Sequence, residues 1–96
     1  MKVWKIGVVG CGNIAETVYI PQMAKISNAV ITAVCDNNTE RARQIAEKFG
    51  IPEYYDDLHE FLKKADVEIC MSVAAFIGRH EVNMKILKAG KHLYSQ

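Results

Sequence analysis

Gly10, Gly12 and Ala15 stand in the run Ile6-Gly7-Val8-Val9-Gly10-Cys11-Gly12-Asn13-Ile14-Ala15, spaced as G-x-G-x-x-A. The chemistry this offers is anion binding by main chain. Glycine at the first position permits a turn that a side chain would obstruct. Glycine at the second lets a diphosphate approach the backbone, and a small third residue lets a helix pack on a strand. The N–H groups that open the helix, at the positive end of its dipole, then face the phosphates without arginine. The order of an apolar strand, a glycine turn and helical sequence is what gives the pattern its meaning. Asp36, 24 positions after Gly12, closes the run Val30-Ile31-Thr32-Ala33-Val34-Cys35. A carboxylate there is placed to accept a ribose 2′-hydroxyl, the second half of a dinucleotide fingerprint. The alternative for these residues is an ordinary βα turn followed by a helix-capping Asp.

Other reactive residue types fit structural roles better. Asp56 and Asp57 are adjacent carboxylates, but Asp57 precedes Glu60 by three and helically spaced Leu58, Phe61 and Leu62, so capping is the expected role. Cys11, Cys35 and Cys70 are odd in number and far apart, which argues against a disulfide framework. They read as small buried hydrophobes, with a reactive Cys11 at a helix start as the alternative. His59, His80 and His92 pair with no cysteine at metal-ligand spacing, so no metal site is assigned. His59 reads as exposed and inert. Arg41 and Arg43 read as solvated helix surface, with 2′-phosphate binding as the alternative.

The elements that must position these groups alternate. Strand one covers about Val3–Val9, apolar on both faces as a central parallel strand is. Helix one starts near Asn13, and Pro21 predicts a kink or a fresh start with Pro21 in a first turn. After a turn at Asn28 comes strand two, Val30–Cys35. Helix two follows, with Asn37 as N-cap and Glu40 three residues on, and Ala42, Ile45, Ala46 and Phe49 on its core face. Gly50 and Pro52 stop it. Glu53-Tyr54-Tyr55 is a short edge strand, and Val67–Val73 is strand four, turning at Ala74–Gly78. Helix four, Arg79–Lys88, puts Val82, Ile86 and Ala89 on one face, and Gly90 leads into strand five at His92-Leu93-Tyr94. The fold class is α/β, a Rossmann-type doubly wound parallel sheet of order 3-2-1-4-5 in one domain, residues 1–96. Ligands of such sheets bind at the carboxyl ends of the strands beside the switch point. The expected cofactor-binding residues are therefore Gly10, Gly12, Asn13, Ile14, Asp36, Asn37 and Ala74.

Half of the 96 residues are apolar and 24% charged, with a net charge of +1. Scattered Lys and Arg give no footprint for nucleic acid or an anionic membrane. No apolar run approaches the ~20 residues of a membrane span, and no signal peptide opens the chain. A cytoplasmic location is expected.

Gly10-Cys11-Gly12-Asn13-Ile14-Ala15, Ala33-Val34-Cys35-Asp36, Glu40-Arg41-Ala42 and Leu87-Lys88-Ala89-Gly90-Lys91-His92 together resemble the glucose–fructose oxidoreductase/inositol dehydrogenase (Gfo/Idh/MocA) family. The resemblance implies the nucleotide-binding part of an NAD(P)-dependent oxidoreductase. Sugars, polyols and related carbinols are the typical substrates, and a homo-oligomer is expected at full length. It assigns Gly10, Gly12, Asn13 and Ile14 to the pyrophosphate and Asp36 to the adenosine ribose. The sequence departs from the family pattern in three places. Ala74-Ala75 stands where Thr-Pro is usual, Arg79 where a His is usual, and Gln96 at the Glu of Glu-Lys-Pro. The matching Lys lies outside this sequence, so no catalytic residue is assigned. The chain is expected to be a partial domain, ending before the last helix and strand, of a two-domain enzyme of roughly 330 residues. The segment alone is expected to be unstable, to aggregate or to pair with another copy.

The carboxylate at Asp36 favours NAD over NADP, because it accepts from a free 2′-hydroxyl and repels a 2′-phosphate. Two other readings remain open at this point. One is a non-catalytic NAD(P)-sensing module. The other is a methyltransferase, whose Rossmann-like sheet also combines a glycine turn with an acidic strand end.

Overall fold

The computed structural model describes residues 2–12, 15–73 and 79–95. Strands β1 (Trp4–Val9), β2 (Ala29–Cys35), β3 (Glu53–Tyr55), β4 (Ile69–Ser72) and β5 (His92–Ser95) pair in parallel in the order β3-β2-β1-β4-β5. This is the doubly wound arrangement that the alternation predicts. Helices α1 (Ile20–Ala24), α2 (Thr39–Phe49), α3 (Leu58–Lys64) and α4 (Arg79–Lys88) connect the strands. No helix among the described residues is long and apolar enough to cross a membrane.

The period of two along each strand sends side chains to two core layers. Val8 and Val34 pack with Ile20 of α1 and with Ile45 and Ala46 of α2. Val9, Ala33, Cys35 and Cys70 pack with Phe61 of α3 and Ile86 of α4. Gly7 faces the second layer. A Cβ there would stand 2.5 Å from Phe61 Cζ and 2.9 Å from Val67 Cγ1, so the bare backbone admits the buried ring against β1. Tyr55 meets the same ring edge-on, with centroids 5.8 Å apart. The β1–β2 register shifts between Ile6, opposite Ile31, and Gly7, opposite Ala33. Thr32 is left unmatched, and its hydroxyl donates to the Asp66 carbonyl at 2.8 Å.

The helix ends follow local chemistry, with some differences from the sequence reading. Residues Ala15–Tyr19 wind as a π-helix, and α1 starts afresh with Pro21 in its first turn. Proline supplies no N–H to the preceding turn, and the winding changes there. The N-cap of α2 is Asn38 rather than Asn37, and its Oδ1 accepts from the Arg41 N–H at 3.1 Å. The cause lies one turn back, where the Asp36 carboxylate accepts the Asn38 N–H at 2.9 Å and closes an Asx turn. Arg41 then occupies the third helical position, and Glu40 closes no capping box. At the other end Gly50 has φ +67°, and the Ile51 N–H returns to the Ala46 carbonyl at 2.8 Å. Asp57 caps α3 by accepting the His59 N–H at 3.0 Å, as expected, and Asp56 accepts the Thr39 hydroxyl. On α4, Ile86 is fully buried and Val82 half-buried, whereas Ala89 lies beyond the helix end and is exposed.

Candidate functional site

β1 lies between β2 and β4, so its carboxyl end is the switch point of the sheet. The chain leaves β1 through Gly10, whose φ of +100° is a conformation that side-chain-bearing residues rarely adopt. The Gly10 N–H donates to the Cys35 carbonyl at 2.7 Å, which ties the turn to the end of β2. Gly12 is exposed, and nothing stands within 4 Å of where its Cβ would lie. The Glu16 N–H returns to the Gly12 carbonyl at 3.0 Å and starts the helical winding. The turn is open on the side where a ligand would approach.

Asp36, half-buried at the end of β2, faces this turn. Its Oδ2 accepts the Cys11 N–H at 2.8 Å while Oδ1 accepts that of Asn38. The Cys11 amide therefore serves the carboxylate and does not face the cleft. A carboxylate has about four lone-pair sites, so each oxygen keeps capacity for a further donor such as a ribose hydroxyl. Asn37 is exposed beside it. Asn13, Ile14 and Ala74 lie outside the described residues. Gly10, Gly12, Asp36 and Asn37 are brought together as the sequence predicts. At the end of β4, Ser72 is fully buried, and its hydroxyl has no hydrogen-bond partner among the described residues.

Sequence reasoning missed the network behind the turn. Arg41 is not solvated helix surface. Its Nε donates to the Cys11 carbonyl at 2.6 Å, and a terminal nitrogen reaches Glu16 Oε1 at 2.7 Å. Lys48 takes the other Glu16 oxygen at 2.8 Å. Lys48 foremost and Arg41 next hold the Glu16 carboxyl below its ordinary value of 4.5. These partners are 25 to 32 positions apart, a separation at which no local pattern signals pairing. Arg43 does follow the surface reading, pairing with Glu40 and Glu47 along α2.

All three cysteines are buried and unpaired, in line with their reading as small hydrophobes. The reactive alternative for Cys11 fails. Burial first, and the neighbouring Asp36 charge second, push its thiol up to about 12. Burial likewise raises Cys35 to about 12 and Cys70 to about 11.

Comparison with known proteins agrees with this geometry. Residues 4–95 match the model of an oxidoreductase family with an NAD-binding Rossmann fold, Gfo/Idh/MocA. The chain is 28% identical to a myo-inositol 2-dehydrogenase of Thermotoga maritima over 96% of its own length, but spans only 27% of that relative. It superposes on a scyllo-inositol dehydrogenase from Lactobacillus casei, solved with NAD(H) and scyllo-inositol, with a TM-score of 0.89. That likeness is 25% identical and covers 98% of this chain and 28% of the other. A 3-ketoreductase from Actinomadura kijaniata, solved with TDP-benzene and NADP, gives a TM-score of 0.90 at 26% identity, covering 98% of this chain and 29% of its own. The glycine turn, the carboxylate that faces it and the match along almost the whole chain agree, and the chain belongs to the Gfo/Idh/MocA oxidoreductase family through its NAD-binding Rossmann fold.

Proposed function

We propose that this chain is the dinucleotide-binding part of an NAD(P)-dependent oxidoreductase that transfers hydride to or from a sugar, polyol or related carbinol, with NAD preferred. The observation that carries the reading is the Asp36 carboxylate, held against the glycine turn by the Cys11 and Asn38 amides with acceptor capacity to spare. The residues fit the cofactor: Gly12 leaves room for a diphosphate, and Asp36 suits a free ribose 2′-hydroxyl. When bound, the nicotinamide supplies the hydride chemistry. The residues named here bind and orient, and the turn, with Asn13, Ile14, Asn37 and Ala74, is read as the cofactor subsite. The inositol dehydrogenases among the relatives support the substrate class. The buried, unpaired thiols suit a reducing compartment, and a cytoplasmic homo-oligomer is part of this reading.

The test is a titration of the protein with NADH and NADPH, followed by energy transfer from Trp4. NADH is expected to bind more tightly, and Asp36→Ala to weaken it about 10- to 100-fold, as expected for a lost hydrogen bond to a charged group. Tighter binding of NADPH to the native protein would reverse the cofactor preference. Binding of neither would remove the proposal.

A further inference from the structure

The network behind the glycine turn places a guanidinium beside the ribose carboxylate and then occupies it. Asp36 and Arg41 grip the same residue from two sides, the carboxylate on the Cys11 N–H at 2.8 Å and the guanidinium on the Cys11 carbonyl at 2.6 Å. The two charged groups are therefore neighbours across one peptide residue. An arginine so close to the ribose corner is the group that would accept a 2′-phosphate. Here its Nε is taken by the carbonyl and a terminal nitrogen by Glu16, whose second oxygen is fixed by Lys48 at 2.8 Å. Both members of the Arg41–Glu16 pair are largely shielded, with side chains 27% and 19% exposed. Solvent screening is correspondingly weaker than for the surface pairs along α2.

We propose that Glu16 is a cofactor-specificity residue, which acts by keeping Arg41 on the turn and away from a ligand 2′-phosphate. The inference rests on the dinucleotide reading above and deepens it: discrimination between the two nicotinamide cofactors comes from two carboxylates. Asp36 addresses the 2′ position directly. Glu16 withholds the cation that would offset the charge of a phosphate there, and Lys48 keeps Glu16 in place. With Glu16 neutralised, Arg41 keeps only the Cys11 carbonyl as a partner and is free to exchange it for a phosphate oxygen.

The experiment is a double-mutant cycle on the full chain with Glu16→Gln, Arg41→Met and the pair, read as the ratio of NADPH to NADH affinity. Glu16→Gln is expected to raise that ratio about 5- to 10-fold, the scale of one charge removed from a partly screened site some distance from the phosphate. Adding Arg41→Met is expected to abolish the rise. Arg41→Met alone is expected to leave the ratio where it was, whatever it does to overall affinity or stability. An unchanged ratio in Glu16→Gln overturns the proposal. So does a rise that persists without Arg41, which would be a plain field effect. If Glu16→Gln fails to fold, Arg41→Met still decides, because a fall in its ratio would mean that the arginine already serves the 2′-phosphate. NADH binding by the native chain together with any of these failures removes only the role of Glu16. Absence of binding by the native chain removes the dinucleotide reading itself.

Discussion

Gly7 and Gly10 are four positions apart from Cys11 and one apart from it, yet they are glycine for different reasons. Gly10 has a backbone conformation that disfavours any side chain, whereas Gly7 gives up its side chain to a neighbour. Because the Phe61 ring is fully buried, it has little room to move away. Gly7→Ala is therefore expected to destabilise the fold by about 1–3 kcal/mol through overpacking, measured by denaturant unfolding. A companion Phe61→Leu change should recover part of that loss. Asp36 was legible in the sequence because its role depends on a spacing and a strand end. Arg41 was not. Its partners come from another segment, and an isolated arginine in a helical first turn looks the same whether it meets water or a carbonyl.

The helices show where local rules suffice and where a neighbouring segment decides. The apolar positions of α2 and its Gly50 stop were readable from period and composition. Its start was displaced by one residue because the Asp36 side chain takes the Asn38 N–H, which no propensity of Asn37 or Asn38 reveals. Asn38→Ala is expected to lower stability by about 1 kcal/mol, the scale of a lost N-cap, as followed by thermal melting. Asn37→Ala should have a smaller effect. The π-wound stretch before α1 left no trace in the sequence beyond Pro21, because a wider turn uses the same residue types as an α-helix.

Across the whole molecule, the strand order was legible because alternating strands and helices with right-handed crossovers leave few topologies. The long-range ion pairs were not, and they set the response to acid. Glu16 is held below 4.5 by Lys48 and Arg41, Glu60 by Lys64, and Glu68 by Lys2 with the Lys5 amide. A carboxyl with a lowered value in the folded state binds fewer protons there than when unfolded. Its stabilisation is complete above the unfolded value and fades as the pH falls through the lowered one. Unfolding midpoints are expected to hold steady above about pH 5 and to drop below pH 4.5, with a shallower drop in Glu16→Gln.

The slip at Thr32 bears on how such chains are recognised. β2 spends one more residue than β1 over the same rise of sheet, so the count from Gly12 to Asp36 includes a residue that adds no advance along the sheet. Intervals along a chain measure contour, whereas the ligand meets only the end points. A search that allows slack between the glycines and the acid, wherever an irregular strand can absorb it, would find corners of this shape that a rigid interval passes over.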